Sequence, residues 1–325
     1  MFDSSSFDLA GRRVWVAGHT GMVGSAMVRR LASENCEMVT ATRRQADLRE
    51  SEQVDRLVRE ARPHVVVIAA AKVGGILAND RYPVEFLEDN LRITTNIVAA
   101  AARYDVRKLL YLGSSCIYPR EAAQPIAEDT LLTGPLETTN QWYAIAKIAG
   151  LRLCQAYRRQ HGCDFITAMP CNLYGPGDNF DVDSGHVIPS LIAKAHMARM
   201  SGTRSLIVWG TGLPRREFLH VDDLADGLVH LLKHYSAEEP VNIGTGSDVT
   251  IANLAQQICH IVGFTGALAF DHTRPDGTPR RVLDIGRITT LGWRPRIPLS
   301  HGLEETYGWY LDHISAEHSY APAGI

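Results

Sequence analysis

The stretch from Arg13 to Ala32 limits the possible folds more than any other part of the chain. Arg13 to Gly18 (RVWVAG) reads as a strand, Met22 to Ala32 carries apolar residues at helical spacing, and Gly18, Gly21 and Gly24 form GxxGxxG between them. A strand that turns straight into a helix through glycines leaves backbone amides and the positive helix end open to a pyrophosphate. The alternation continues downstream. Glu37 to Thr42 reads as a second strand, Val54 to Ala61 as a helix, and Pro63 to Ala71 (PHVVVIAAA) as a strand buried on both faces. Helix Phe86 to Tyr104, strand Lys108 to Gly113, helix Thr138 to His161 and strand Asp164 to Met169 follow. This order predicts an α/β fold with a Rossmann-type doubly wound parallel sheet.

After about residue 170 the texture changes. Gly, Pro, Asn and Asp cluster from Cys171 to Asp183, and helices and short strands then mix less regularly. The expectation is a dinucleotide-binding domain over 1–170 and a smaller α/β, mainly substrate-binding domain over 171–325, partly interleaved with the first. Ligands of open α/β sheets bind beyond the carboxyl ends of the strands, so the loops after Gly18, Ala71, Gly113 and Met169 should meet in one cleft. The tail from Ser315 is expected to be poorly ordered.

Composition excludes several classes. In 325 residues, 45% hydrophobic and 21% charged, disorder and fibres are ruled out. With 33 Lys+Arg against 36 Asp+Glu and a net charge of -3, no broad basic field exists to grip nucleic acid. The longest apolar run, Val65 to Ala71, falls far short of the about 20 residues of a membrane span. Met1 to Ala10 lacks the regions of a signal peptide, so a cytoplasmic protein with neither nucleic-acid nor membrane partners is expected. Six scattered cysteines without a CxxC pair suggest neither a metal site nor a disulfide framework.

The second strand decides the cofactor. An acidic residue at its end would hold a ribose hydroxyl, whereas arginines suit a 2′-phosphate, and here Arg43 and Arg44 follow Thr42. That favours NADP, with Asp47 facing the adenine. Farther on, Tyr143 and Lys147 stand four residues apart on one helix face. A nearby ammonium would lower the phenol pKa toward neutrality, and Ser114, just past a strand, could hydrogen-bond a substrate carbonyl.

The stretches GHTGMVGSA (Gly18 to Ala26), AAAKVGGILAN (Ala69 to Asn79), LGSSCIYP (Leu112 to Pro119), YAIAKIAG (Tyr143 to Gly150), NLYGPGDNF (Asn172 to Phe180), SGHVIP (Ser184 to Pro189), REFLHVDD (Arg216 to Asp223) and PDGTPR (Pro275 to Arg280) resemble the extended short-chain dehydrogenase/reductase superfamily, and within it the GDP-L-fucose synthase family. The resemblance implies a bifunctional enzyme. It would epimerise GDP-4-keto-6-deoxy-D-mannose at C3 and C5 and then reduce C4 with NADPH. The family's reductive roles fall on Ser114, Tyr143 and Lys147, and its epimerisation pair on Cys116 and His186.

The chemistry of a 4-keto sugar agrees with those roles. Loss of a proton from C3 or C5 gives an enolate on the C4 oxygen, and inversion needs a base on one face with an acid on the other; a thiol and an imidazole bracket neutral pH. By the same resemblance the cofactor would be lined by Gly18, His19, Thr20, Gly21, Met22, Val23 and Gly24, by Arg43, Arg44, Asp47 and Leu48, by Leu112, Gly113, Ser114 and Ser115, by Tyr143 and Lys147, and by Pro170, Cys171, Asn172, Leu173 and His186. Lys194, Trp209, Arg216 and Asp276 would grip the nucleotide sugar, with Arg280 as a further candidate cation. The family usually forms homodimers.

Two departures stand out. Thr20 occupies a place where the family commonly has an arginine for the 2′-phosphate, and Lys194 replaces an arginine, keeping charge but losing the bidentate fork. Sugar-nucleotide dehydratases carry an acid between the serine and the following tyrosine; Ser115, Cys116 and Ile117 fill that interval here. Two alternatives remain: a C4 reductase or epimerase of another nucleotide sugar, and, more distantly, a non-catalytic NADP-sensing module.

Overall fold

A computed structural model of the chain describes residues 6–182, 184–274 and 276–318. Its centre is a six-stranded, wholly parallel sheet. β1 (Arg13–Ala17) leads through α1 (Met22–Leu31) to β2 (Glu37–Val39), and α2 (Ser51–Ala61) leads to β3 (Val65–Ile68). The short α3 (Ile76–Arg81) and the long α4 (Pro83–Arg103) precede β4 (Lys108–Leu112), and α5 (Gln141–His161) precedes β5 (Phe165–Pro170). β3 is VVVI, buried at every position, as a strand covered by helices on both faces must be.

The remaining elements are shorter and more mixed. β6 (Asn172–Tyr174), α6 (Val187–Ser201), β7 (Ser205–Trp209), β8 (Arg215–Arg216), β9 (Phe218–His220) and α7 (Val221–His234) come first. β10 (Val241–Ile243), β11 (Val249–Thr250), α8 (Ile251–Val262), β12 (Ala267–Asp271), β13 (Arg280–Arg281), α9 (Gly286–Thr290) and α10 (Leu299–His318) complete the chain. The main sheet runs β10-β5-β4-β3-β1-β2, so its order reverses between β1 and β3, the switch point where such folds open a ligand crevice. β10 comes from the later part of the chain, and α7 lies on α1, where Arg29 pairs with Asp222 at 2.5 Å and Arg30 with Asp226 at 2.8 Å. A second buried cluster, formed mainly by α6, α8 and α10 with Leu206, Val208 and Phe218, lies apart from the first.

Element ends differ from the sequence expectation for local reasons. β2 stops at Val39, not Thr42, because it is an edge strand and the backbone and hydroxyl of Thr42 bond the Gln45 side chain instead. α4 starts at Pro83, a residue suited to a first helical turn, rather than at Phe86. A 3₁₀ turn, Thr138–Asn140, precedes α5. Helix α10 carries the expected loose tail on to His318, and the rest of that tail lies outside the described residues, as do Asp183 and Pro275. No helix among the described residues is long and apolar enough to cross a membrane.

One side chain locks β10 into place. Buried Asn242 accepts from the Tyr118 hydroxyl at 2.6 Å and donates to the carbonyls of Ile126 (2.9 Å) and Asp284 (3.1 Å). Asn242→Ala orphans all three partners and should lower stability by about 2–4 kcal/mol in urea unfolding. Tyr118→Phe removes one donor and should cost less.

Candidate active site

The glycine loop follows β1. Gly18 has φ +88°, and a Cβ there would lie 2.7 Å from the Ala70 backbone, while a Cβ on Gly24 would overlap the Gly18 carbonyl oxygen. The loop therefore closes tightly under α1, whose first turn carries no acidic residue. Thr20 and Gly21 are exposed, and the buried His19 Nδ1 has no hydrogen-bond partner. A tight glycine cradle, a helix start free of carboxylate and an orphaned polar atom fit the pyrophosphate of a dinucleotide.

Beyond β2 the cations are in place, with one correction. Arg43 and Arg44 are exposed, but Asp47 does not stand open toward an adenine: it binds Arg49 at 2.7 Å and Arg43 at 3.3 Å. Those arginines hold its carboxyl far below the ordinary range. Leu48 accepts a bond from Asn96 through its carbonyl, at 3.0 Å.

Neighbouring loops at the carboxyl edge are bonded to one another. Ala69 N donates to the Ala17 carbonyl at 3.0 Å, Gly113 N to Ala168 at 2.9 Å, and Cys171 N to Ile243 at 3.1 Å. Asn172 reaches the Glu217 carbonyl at 2.9 Å; Pro170 ends β5 and Leu173 lies in β6. The loops expected to meet in one cleft start from this row.

Ser114 caps a 3₁₀ turn, Ser115–Ile117, its hydroxyl accepting from Cys116 N at 3.3 Å. That turn buries Cys116. From α5, buried Lys147 donates to the Leu112 carbonyl at 2.8 Å, fixing the helix against the end of β4. Its ammonium lies 5.6 Å from the Tyr143 ring centre and 5.1 Å from that of Tyr111. Tyr143 also meets Phe86 edge-on, centroids 6.4 Å apart.

The titration of this set reverses one expectation. Burial pushes the Tyr143 phenol well above its usual value and lowers Lys147 to about 8. The predicted phenolate is not what this environment favours, because desolvation outweighs the cation. Burial also raises the Cys116 thiol, against the pull of Ser114, Arg281 and Lys147.

His186 precedes α6, half-exposed, with Nδ1 3.7 Å from the buried Asp178 carboxylate. Its neighbour Ser184 accepts from Gly75 N at 3.2 Å, which places this loop against the 74–75 turn beside Phe86. Trp209 does not pack in the core; Lys194 and Arg274 lie over its ring at 4.5 and 4.8 Å. Asp276 is engaged with the Thr211 amide (2.7 Å) and hydroxyl (2.8 Å), so it shapes the Trp209 loop. Arg216 lies in β8, and burial lowers its pKa to about 10. Arg280 is not aimed at the cleft, since it shares Asp248 with Arg215.

Sequence reasoning missed Arg281, Glu217 and Phe86. Arg281 directly follows the PDGTPR motif, and its Nη1 donates to the Ser115 carbonyl at 2.7 Å. A separate cavity of about 470 Å³, lined by Arg30, Asp226, Lys233 and Arg294, contains none of the site residues. Among the described residues no His, Cys, Asp or Glu cluster is placed to hold a metal ion, and all six cysteines are free.

A doubly wound sheet with a glycine cradle at its switch point and a serine, tyrosine and lysine at the carboxyl edge defines a dinucleotide-dependent enzyme of the short-chain dehydrogenase type. The chain belongs to the NAD dependent epimerase/dehydratase family, whose model matches residues 14–244. It is 53% identical over 307 residues to a GDP-L-fucose synthase of Sinorhizobium fredii, covering 94% of this chain and 98% of that one. The structure matches a Naegleria fowleri GDP-L-fucose synthetase bound to NADP at TM-score 0.89 and 28% identity, over 97% and 99% of the two chains. It also matches a GDP-6-OMe-4-keto-L-xylo-heptose reductase from C. jejuni at TM-score 0.89 and 32% identity, over 95% and 99%.

Two measurements test the site. Gly24→Ala should raise the Kd for NADPH at least about tenfold in a fluorescence titration, since the new methyl displaces the loop. In the folded state Lys147 titrates near 8 instead of lysine's ordinary 10.5, so the unfolded chain binds more protons between those values. The stability of the wild type relative to Lys147→Met should therefore rise with pH across that window in paired urea unfolding series; a flat difference would contradict the depressed value.

Proposed function

We propose that this chain epimerises GDP-4-keto-6-deoxy-D-mannose at C3 and C5 and then reduces C4 with NADPH, giving GDP-L-fucose. The observation that carries this reading is the turn that presents Ser114 and Cys116 together at the end of β4, beside the Lys147-anchored Tyr143. The pairing of reductive and epimerising groups on one loop is what a two-stage reaction at one sugar ring requires.

Ser114 and Tyr143 hold the C4 oxygen, stabilising enolate charge during epimerisation and alkoxide charge during reduction. Cys116 and His186 act from the two faces of the ring, one removing the proton at C3 or C5 and the other returning one with inversion. NADPH, when bound on the glycine loop, supplies the hydride for C4. The raised phenol of Tyr143 suits the final step, because a protonated hydroxyl is the form that donates to the C4 oxygen. Lys147 keeps that phenol in place through its bond to Leu112.

Arg216 and Lys194 would meet the diphosphate and Trp209 the guanine, with Asp276 holding the Trp209 loop. In this reading residues 1–170 bind the cofactor and 171–325 mainly the substrate, partly interleaved. A homodimer would cover Val84, Trp142 and Ile145, which α4 and α5 leave 63%, 41% and 39% exposed. Six free cysteines suit the cytoplasm, where thiols stay reduced. The likeness to the C. jejuni reductase supports a second reading, C4 reduction of another GDP-sugar without epimerisation.

Incubation with the keto sugar and NADPH in D₂O separates the two. The first reading expects deuterium at C3 and C5 and an L-fucose product by NMR; reduction without exchange would leave the second. Cys116→Ser should slow exchange by about 10²–10⁴-fold. Tyr143→Phe, with Ser114 still on the C4 oxygen, should slow exchange far less than it slows NADPH oxidation, which should fall by a similar factor. Unchanged exchange in Cys116→Ser would remove the thiol from its assigned role.

A further inference from the structure

The small sheet β11-β8-β13 holds four arginines in register. β8 and β13 run parallel, with Arg280 opposite Arg215 and Arg281 opposite Arg216. Successive side chains leave a strand on opposite faces, so the arginines form an outer pair and an inner pair. The outer pair shares the nearly buried Asp248 carboxylate. Arg216 and Arg281 make no direct ion pair among the described residues; the Glu137 carboxylate favours the charge of both, and Asp276 that of Arg216, yet burial and the repulsion of like charges directly opposite leave both lowered. Glu217, fully buried, nevertheless fixes this strand pair, accepting from the amides of Thr245 (2.6 Å), Gly246 (2.7 Å) and Leu283 (2.8 Å).

The inner pair is held there at a cost to stability, which calls for a use. Arg281 spends one of its donors on the Ser115 carbonyl, 166 residues earlier in the chain and in the peptide bond that leads into Cys116. We infer that Arg281 is a positioning residue for the epimerisation turn: it fixes the Ser115–Cys116 peptide and brings a permanent positive charge to the thiol. The inference rests on the proposed role of Cys116.

The groups acting electrostatically on Cys116 are Lys147 from α5, Arg281 from β13 and the phenols Tyr143 and Tyr111. The phenols are neutral at physiological pH. Lys147, lowered to about 8, loses its charge as pH rises, whereas Arg281, though burial lowers it too, starts from the far higher value of a guanidinium and keeps its charge longer. Arg281 is thus the cation that persists over the range in which a thiol ionises.

The test uses the full-length protein and iodoacetamide, with alkylation of Cys116 followed by peptide mass spectrometry from about pH 6 to about pH 10. Arg281→Met should slow alkylation near neutral pH by about three- to tenfold and displace the profile upward by roughly half to one pH unit. Arg281→Lys should restore part of the rate, and Arg280→Met, on the outer face, should leave the profile unchanged. Arg281→Gln carries the same expectation as Arg281→Met should that variant fail to fold. An unshifted profile in a folded variant, an equal shift in Arg280→Met, or a wild-type Cys116 inert throughout would overturn the inference. Isotope exchange at C3 and C5 is measured alongside: if the wild type shows none, the proposed function fails, while the alkylation profiles still decide the role of Arg281.

Discussion

A single ammonium buried at the carboxyl edge of the main sheet organises the site. Lys147 donates to the carbonyl that ends β4, so the last residue of a central strand and the second turn of α5 cannot move independently. Desolvation makes that placement unfavourable, and its pKa falls accordingly. The contact persists because β4 is buried at every position and α4 packs along α5, so the surrounding packing outweighs the local penalty. From this one bond the Ser114 turn inherits its origin and Tyr143 its position. The same burial that depresses the ammonium keeps the phenol protonated, so two opposite shifts have one cause.

A second fixed point joins the later segments to the first. The Glu217 carboxylate sits at zero exposure yet collects three backbone amides from two separate segments. Those bonds offset part of its burial cost, burial still raising its pKa, and a carboxylate so bonded holds segments that have too few residues to hold themselves. β8, β11 and β13 are two residues each, so their register depends on such side-chain anchors more than on ladder bonds. Asn242 does the same for β10.

What the sequence disclosed follows from this difference in length. The strand, glycine turn and helix over 13–31, the four-residue spacing of Tyr143 and Lys147, and the buried run of β3 have periods that can be counted. Two-residue strands have none. Arg280 therefore read as a site cation and Arg281 not at all, because which of two adjacent arginines joins Arg216 on the inner face is decided by the pairing of β13 with β8. The engagement of Asp47 by Arg49 and of Asp276 by Thr211 was hidden for a related reason: a carboxylate's partner is set by loop geometry. Spacing also suggested that Lys147 would lower the Tyr143 pKa, but burial, which spacing does not encode, acts in the other direction.

The charge balance can now be understood in terms of place. A chain with a net charge of -3 repels anions from afar, yet the cofactor and substrate assigned to it both carry phosphates. Their attraction has to come from short-range groups. On the cofactor side the fitting groups are amides at a helix start with no acid in its first turn, and under the proposed function Arg216 beside Arg281 would serve the other side. Two guanidiniums in register repel each other and the Glu137 carboxylate relieves this only in part, so a bound anion would return stability to the pair. Under the proposed function such a pair would select dianionic ligands without a basic surface, and because Arg281 also holds the Ser115 carbonyl, the strand register that places Arg216 also sets the turn that carries the thiol.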